Sequence, residues 1–388
     1  MGRNRCLKGN CAMVEIKEVR TRSDLRKFVD FPNRMYKDVP QFIPAMYGDD
    51  LQDWDRKKNP AFEYCEGKCW LAYKNGELVG RIAAILSRKA NEKWNLNRMR
   101  FWQVDFIDDY EVSEALFRTV EDYAREKGCN EVHGPLGFTD LDSEGMLIEG
   151  FEEKGMFITF YNYPYYKEHL ERLGYGKDVD WVEFLIDVPY DERTVTRLDK
   201  LSERVLKYSN LHVVEVKSRR EYGPLLEQVF ALANDAYSKL YGTVPVSEAQ
   251  IQRYAKKFIP IVNPELTCFI MDENNKLVAF GVSAPSMAEA LRKSRGRLFP
   301  FGWIGVLKAL KKNDTLDLFL IAVTEEYRNK AVNAVLMNHV LKGCHKMGIK
   351  YAETGPQLET NEKIQHQWNF FNTRQHKRRR CFVKKLDA

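Results

Sequence analysis

No stretch of the chain approaches the roughly 18 apolar residues that a membrane-spanning helix requires. The first twelve residues, Met1 to Ala12, are polar and basic and lack the apolar core of a secretory signal, and Met13 would serve equally well as a start. The eight cysteines are scattered, with only Cys6 and Cys11, and Cys65 and Cys69, close together. Neither a CxxC pair nor a Cys/His cluster with zinc spacing occurs, so no metal is expected. The histidines lack triad-like company and there is no GxSxG elbow, which argues against a serine hydrolase. The run Gly137–Gly145 has the acidic pattern of a calcium loop, but Phe151 stands where an EF-hand needs its glutamate. It reads as an ordinary loop. These absences point to a soluble, cytoplasmic protein in a reducing compartment.

What is present is core material. Hydrophobic residues make up 44% and aromatics 12% of 388 residues, enough for two domains rather than for disorder. The net charge of +6 suits an anionic small ligand or an acidic surface and falls short of a nucleic-acid signature.

The chain repeats an order of elements. Strand Cys69–Tyr73, turn Lys74–Glu77 and return strand Leu78–Leu86 match Thr267–Met271, Asp272–Lys276 and Leu277–Ser283. Each hairpin follows a helical stretch, Ser23–Asp30 or Tyr222–Leu240. Strand Phe101–Ile107, a turn, an apolar-striped helix ending at Gly128, and strand Glu131–Leu136 then match strand Leu316–Val323, a turn, a helix ending at Gly348, and strand Lys350–Glu353. A strand–helix–strand unit of this kind needs a parallel strand pair with the helix on one face. The expected organisation is therefore two α/β halves, 13–190 and 205–388, joined near Pro189.

That order resembles the GNAT acyltransferase superfamily. The resemblance implies an α/β (α+β) fold of two tandem domains, each a mixed, mostly antiparallel sheet with a central parallel strand pair flanked by helices. Family members open a helix with Gln/Arg-x-x-Gly-x-Gly/Ala and hold the CoA diphosphate on its N-terminus. Here Arg328-Asn329-Lys330-Ala331-Val332-Asn333-Ala334 follows Ile321 and Val323, with Ala331 and Asn333 at the glycine positions. These residues, with Asn361 leading the last helix, are the implied cofactor contacts, and the co-substrate is acetyl-CoA or a longer acyl-CoA. The corresponding turn of the first half is two residues shorter and carries Asp108, Asp109, Glu111 and Glu114, which would repel a diphosphate.

Some family members use an acidic residue on the strand before the phosphate loop as base, and Asp317 holds that place. The tyrosine acid seven residues after the leading Asn is Trp368 here, leaving Tyr327 and His366 as substitutes. Glu353, near the splay point, is a candidate to orient the acceptor amine. Tyr163 and Tyr165, in an aromatic run, and Phe299 and Trp303, in a basic insert between Ser283 and Thr315, are candidate acceptor determinants. The basic aromatic insert also suits a peripheral membrane surface, although a helix packed on the sheet with snorkelling lysines explains it as well. The run His376–Arg380 reads as the start of a last strand, Cys381–Leu386, on a solvated edge. The function expected is acyl transfer to a small-molecule, peptidic or amphipathic amine from the C-terminal half. The alternative is a non-catalytic tandem protein that binds an acyl or peptidic ligand. The oligomeric state is left open.

Overall fold

The computed structural model describes residues 13–387, so Cys6, Cys11 and the basic leader lie outside the described residues. Seven strands come from the first half: β1 (Glu15–Glu18), β2 (Cys65–Lys74), β3 (Glu77–Ser87), β4 (Arg98–Phe106), β5 (Glu131–Gly134), β6 (Met146–Glu149) and β7 (Gly176–Asp187). Seven more come from the second: β8 (His212–Val213), β9 (Cys268–Met271), β10 (Leu277–Pro285), β11 (Thr315–Val323), β12 (Tyr351–Thr354), β13 (Gln357–Leu358) and β14 (Thr373–Lys385). The duplicated hairpins are β2–β3 and β9–β10, both antiparallel. The duplicated parallel pairs are β4–β5 and β11–β12.

All the strands join one sheet, whose main path runs β1-β2-β3-β4-β5-β14-β7-β12-β11-β10-β9-β8. The middle of that path is an exchange. β14, the last strand of the chain, lies between β5 of the first half and β7. β7, a first-half strand by sequence, pairs with β12 of the second half. Each half thus completes its sheet with a strand that belongs, by order along the chain, to the other.

The crossover helices form for local reasons. In Tyr110–Glu126 the side chains of Val112, Leu116, Phe117 and Val120 are fully buried at helical spacing against β2, β3 and β4. Burying each stabilises by about 1.5–3 kcal/mol relative to exposure. Val332–Met347 presents Val335, Leu336, Leu341 and Cys344 to the sheet and stops at Gly348, whose φ of +72° closes a left-handed cap. The insert forms two helices, Ala288–Ser294 and Gly302–Lys311.

One reading needs correcting. The basic run does not start a solvated edge strand; it is the interior of β14, flanked by β7 with β5 and β6 opposite. Lys377 and Arg379 are about 1% exposed. They tolerate burial because Glu183 of β7, fully buried, pairs with both, and Glu353 of β12 pairs with Lys377. On the other face Arg380 pairs with Asp180 at 2.8 Å and Arg378 with Glu359 at 2.9 Å. Among the described residues no helix is long and apolar enough to cross a membrane, and six cysteines are free and buried.

Because β14 is shared, deleting residues 373–388 should abolish cooperative unfolding of the whole chain. Calorimetry and near-UV circular dichroism check this: an intact transition from the first half alone would show that β14 is dispensable there.

Candidate active site

After Leu318 the parallel pair β11–β12 parts. The last contact is the Gly355 N–H donated to the Leu318 carbonyl at 3.0 Å. The chain then follows β7 instead, with Gln357 opposite Val182 and Leu358 opposite Trp181. The gap this leaves opens into a cavity of about 250 Å³. Its walls are Phe319–Ile321 of β11, Leu336, Met337 and Val340 of the crossover helix, Trp181 of β7, and Trp368 and Phe371 near the C-terminus. They are overwhelmingly apolar. The first half also reaches this cavity, through Asp140, Leu141 and Glu144.

Beside the cavity, helix Val332–Met347 begins with no side-chain cap. Ala331, just before it, is held at φ +56°, a conformation that costs an L-alanine about 1–2 kcal/mol. The turn leaves helix N–H groups and the positive end of the helix dipole directed outward. Arg328 and Lys330 stand exposed at the turn; Arg328 donates to the Val323 carbonyl at 3.2 Å, and Lys330 lies 3.7 Å from Glu326. An uncapped N-terminus with two cations fits a diphosphate, and the strand gap beside it fits an extended pantetheine arm.

The equivalent parts of the first half are filled by the protein itself. Its helix is capped by the Asp109 carboxylate, which accepts from the Glu111 N–H at 3.0 Å, and Lys74 neutralises Asp109 and Glu111. At its strand gap the Phe106 N–H donates to the Tyr166 hydroxyl at 2.8 Å, and the Phe106 carbonyl accepts from Tyr165 at 2.6 Å. Two tyrosines thus satisfy the strand edge that a pantetheine amide would pair with.

Glu144 is the titratable group best placed to act in the cavity. Burial, reinforced by the Asp140 carboxylate, holds its carboxyl well above the usual carboxylate range. Burial raises Asp140 as well. Their loop is pinned from both halves. Arg100 of β4 donates to the Gly137 carbonyl at 2.8 Å and to the Gly242 carbonyl at 3.0 Å, and Trp102 donates to the Ser143 carbonyl at 2.9 Å. Thr139 bonds Tyr254 of the second half. Gly145, at φ +75°, is needed next to Glu144, since a Cβ there would lie 2.7 Å from the Arg379 Cβ. Tyr241 also lines the cavity, with its hydroxyl held by Asp178 and by His133 at 2.9 Å.

The structure brings some of the expected site residues together and separates others. Ile321 and Asn361 line the cavity, Val323 ends β11, Asn329 lies in the turn beside the cavity, and Val332, Asn333 and Ala334 open the helix after it. Asp317 does not line the cavity; it lies buried beside Glu353, its partner across β11–β12. Burial raises Asp317 to about 8, with Glu353 adding to the rise, and burial raises Glu353 to about 7 against the pull of Lys377. Glu353 is thus a buried, paired carboxylate rather than an open acceptor group. Tyr163 packs on Tyr36 in the first half and Tyr165 serves the Phe106 edge, so neither reaches the cavity. His366 is exposed, Tyr327 is half-buried against the cluster around Val332 and Val335, and Phe299 and Trp303 are on the outer surface. Sequence reasoning missed Glu144, whose only signal was a carboxylate-rich loop between glycines just after a parallel strand.

Residues 226–366 match the acetyltransferase (GNAT) family. The chain is 27% identical to Protein YghO of Escherichia coli (strain K12), over 94% of each chain. It is 24% identical to a bacterial ceramide synthase of Caulobacter vibrioides, over 92% of this chain and 93% of that protein. Among solved structures, a tandem GNAT protein from the clavulanic acid biosynthesis pathway superposes with a TM-score of 0.57 at 12% identity, covering 97% of this chain and 99% of that one. Two GNAT folds in tandem are therefore the architecture of this chain.

Two outcomes follow. Between the unfolded value near 3.8 and the folded value of about 8, the folded state holds the Asp317 proton that the unfolded state has lost. Stability must then fall as pH rises across that window. Asp317→Asn should flatten part of this fall, so its gain over the parent should grow from about pH 5 to about pH 9 in urea titrations. Ala331→Gly relieves the left-handed strain and should raise the unfolding free energy by about 0.5–1 kcal/mol after the entropy cost of glycine, seen as a higher midpoint in urea; a loss of stability would show that the alanine conformation is not strained.

Proposed function

We propose that this tandem GNAT-superfamily protein is an acyl-CoA-dependent N-acyltransferase working from its C-terminal half. The observation that carries the reading is the apolar cavity in the β11–β12 gap, beside an uncapped, cationic helix start. The co-substrate supplies an activated acyl thioester. Thr324–Ala334 would hold its diphosphate, and the free edge of β11 would pair with its pantetheine arm.

The chain's own residues then have two tasks. The cavity walls exclude water and receive an acyl chain, and their apolar character favours long chains over acetyl. Glu144 accepts a proton from the acceptor ammonium, its raised affinity for protons bringing it nearer the amine's own. The relative named as a bacterial ceramide synthase supports an amphipathic acceptor, since ceramides are N-acylated long-chain amino alcohols. We assign the same class here: a long-chain amino alcohol or a related lipid amine. Trp368, about 7% exposed, lines the cavity and leaves the usual tyrosine acid without a successor at that position, which favours binding without turnover as a second reading.

Thermal-shift titration with acetyl-, octanoyl- and palmitoyl-CoA should give stabilisation that increases with chain length. Glu144→Gln should keep palmitoyl-CoA binding and lose about 10²-fold in transfer rate at neutral pH. The parent rate should rise with pH through the Glu144 ionisation, because the base must be deprotonated. Equal shifts for acetyl- and palmitoyl-CoA would remove the long-chain assignment. Binding with no transfer to any long-chain amine would establish the non-catalytic reading.

A further inference from the structure

The segment 290–313 contains no acidic residue and seven cations. Its helix Gly302–Lys311 buries Val306 and Leu310 against Met287, Leu291 and Phe319. The opposite stripe, Trp303, Ile304 and Leu307, is 38–45% exposed, and the preceding loop leaves Phe299 and Phe301 81% and 73% exposed. Five of the twelve large exposed hydrophobic side chains among the described residues thus fall within nine consecutive positions. An apolar concentration of this kind on an otherwise polar surface marks a contact site.

The cations identify the partner. Arg292 and Arg297 are paired with Glu289 and Asp30. Lys293, Arg295, Lys308, Lys311 and Lys312 are exposed and have no ion-pair partner among the described residues. Unneutralised cations around protruding aromatic and aliphatic side chains complement an anionic lipid surface, where the rings enter the headgroup boundary and the lysines stay among phosphates. A second copy of this chain fits poorly, since it would bring a second set of like charges against the first. A nucleic acid would use the cations and leave the apolar stripe in water.

We propose that Phe299, Phe301, Trp303, Ile304 and Leu307, with the flanking lysines, form a peripheral docking surface for a bilayer containing anionic lipid. The surface is one layer from the cavity: Phe319 packs on the buried side of this helix and also lines the cavity wall. An amphipathic ligand drawn from the bilayer would therefore have a short path to the gap. The docking itself does not depend on acyl transfer.

The test is co-sedimentation of the full chain with vesicles of phosphatidylcholine alone or with about one-third phosphatidylglycerol. Binding should require the anionic lipid and weaken as salt is raised. Phe299→Ser with Phe301→Ser should reduce partitioning at least about tenfold with an unchanged melting temperature, both side chains being largely free of protein contact. Lys308→Ala, Lys311→Ala and Lys312→Ala together should reduce it by a similar factor and remove most of the salt dependence. Equal binding to neutral vesicles, no binding to anionic ones, or full binding by both variants would overturn the proposal. So would concentration-dependent dimers in sedimentation velocity that the phenylalanine changes abolish, which would assign the surface to a second copy. None of these readouts involves acyl-CoA, so failure here is distinguishable from failure of the enzymatic reading.

Discussion

The buried charges of β14 and β7 are the constraint on which the architecture rests. Lys377 and Arg379 would each cost several kcal/mol if buried alone. Burial by itself would raise Glu183, but Arg379 and Lys377 hold it down to about 2, so it remains ionised between them. Such a cluster adds little net stability over a well-packed apolar equivalent. What it fixes is register: a one-residue slip of β14 would turn Lys377 and Arg379 to the other face and leave Glu183 uncompensated. Asp180 and Glu359 impose the same condition on Arg378 and Arg380. With register set on both faces, the last strand can complete a sheet begun more than two hundred residues earlier.

The exchange of strands places the candidate site at a junction. Trp181 and Ile186 come from β7 and Asp140 and Glu144 from the first half, yet all line a cavity framed by β11, β12 and the second crossover helix. Arg100 holds the two sides together by donating to backbone carbonyls in both. The first half thus contributes two half-buried carboxylates, Asp140 and Glu144, to the wall of a cavity framed by the second. A isolated second half would lack β7, the Glu144 loop and one wall of the cavity.

The elements legible in the sequence were those set by local chemistry. The Lys74–Glu77 turn, the stripes Val112–Val120 and Val335–Cys344, and the stop at Gly348 each depend on a few adjacent residues, and the structure has them within a few positions. The basic turn between β11 and the helix Val332–Met347 was legible for the same reason. The exchange was not, because nothing within β14 specifies its neighbours; the same basic run fits a solvated edge until Glu183 is placed beside it. Asp317 looked available because a carboxylate in an apolar strand must face water or a partner. In fact it faces Glu353, and both carboxyls bind protons more tightly than usual. Glu144 was not legible because its place in the cavity wall comes from where the loop lands, across the junction, rather than from its own sequence.

The difference between the halves comes down to what satisfies one strand edge. Where two parallel strands part, peptide groups on the inner edge lose their partners and need others, because a buried, unpaired peptide group costs about as much as a lost hydrogen bond. In the first half the chain provides them: Tyr165 and Tyr166 bond both groups of Phe106, and Asp109 caps the helix. In the second half the described residues supply less. Tyr237 donates to the Ile321 carbonyl at 2.8 Å, but the helix has no side-chain cap and the gap is a cavity rather than packed aromatic rings. A strained Ala331 preserves the turn that leaves that helix end open, and such strain persists where the surrounding structure enforces it. The two halves share an order of elements and differ in this one place: the first closes its strand gap with its own side chains, and the second leaves a cavity.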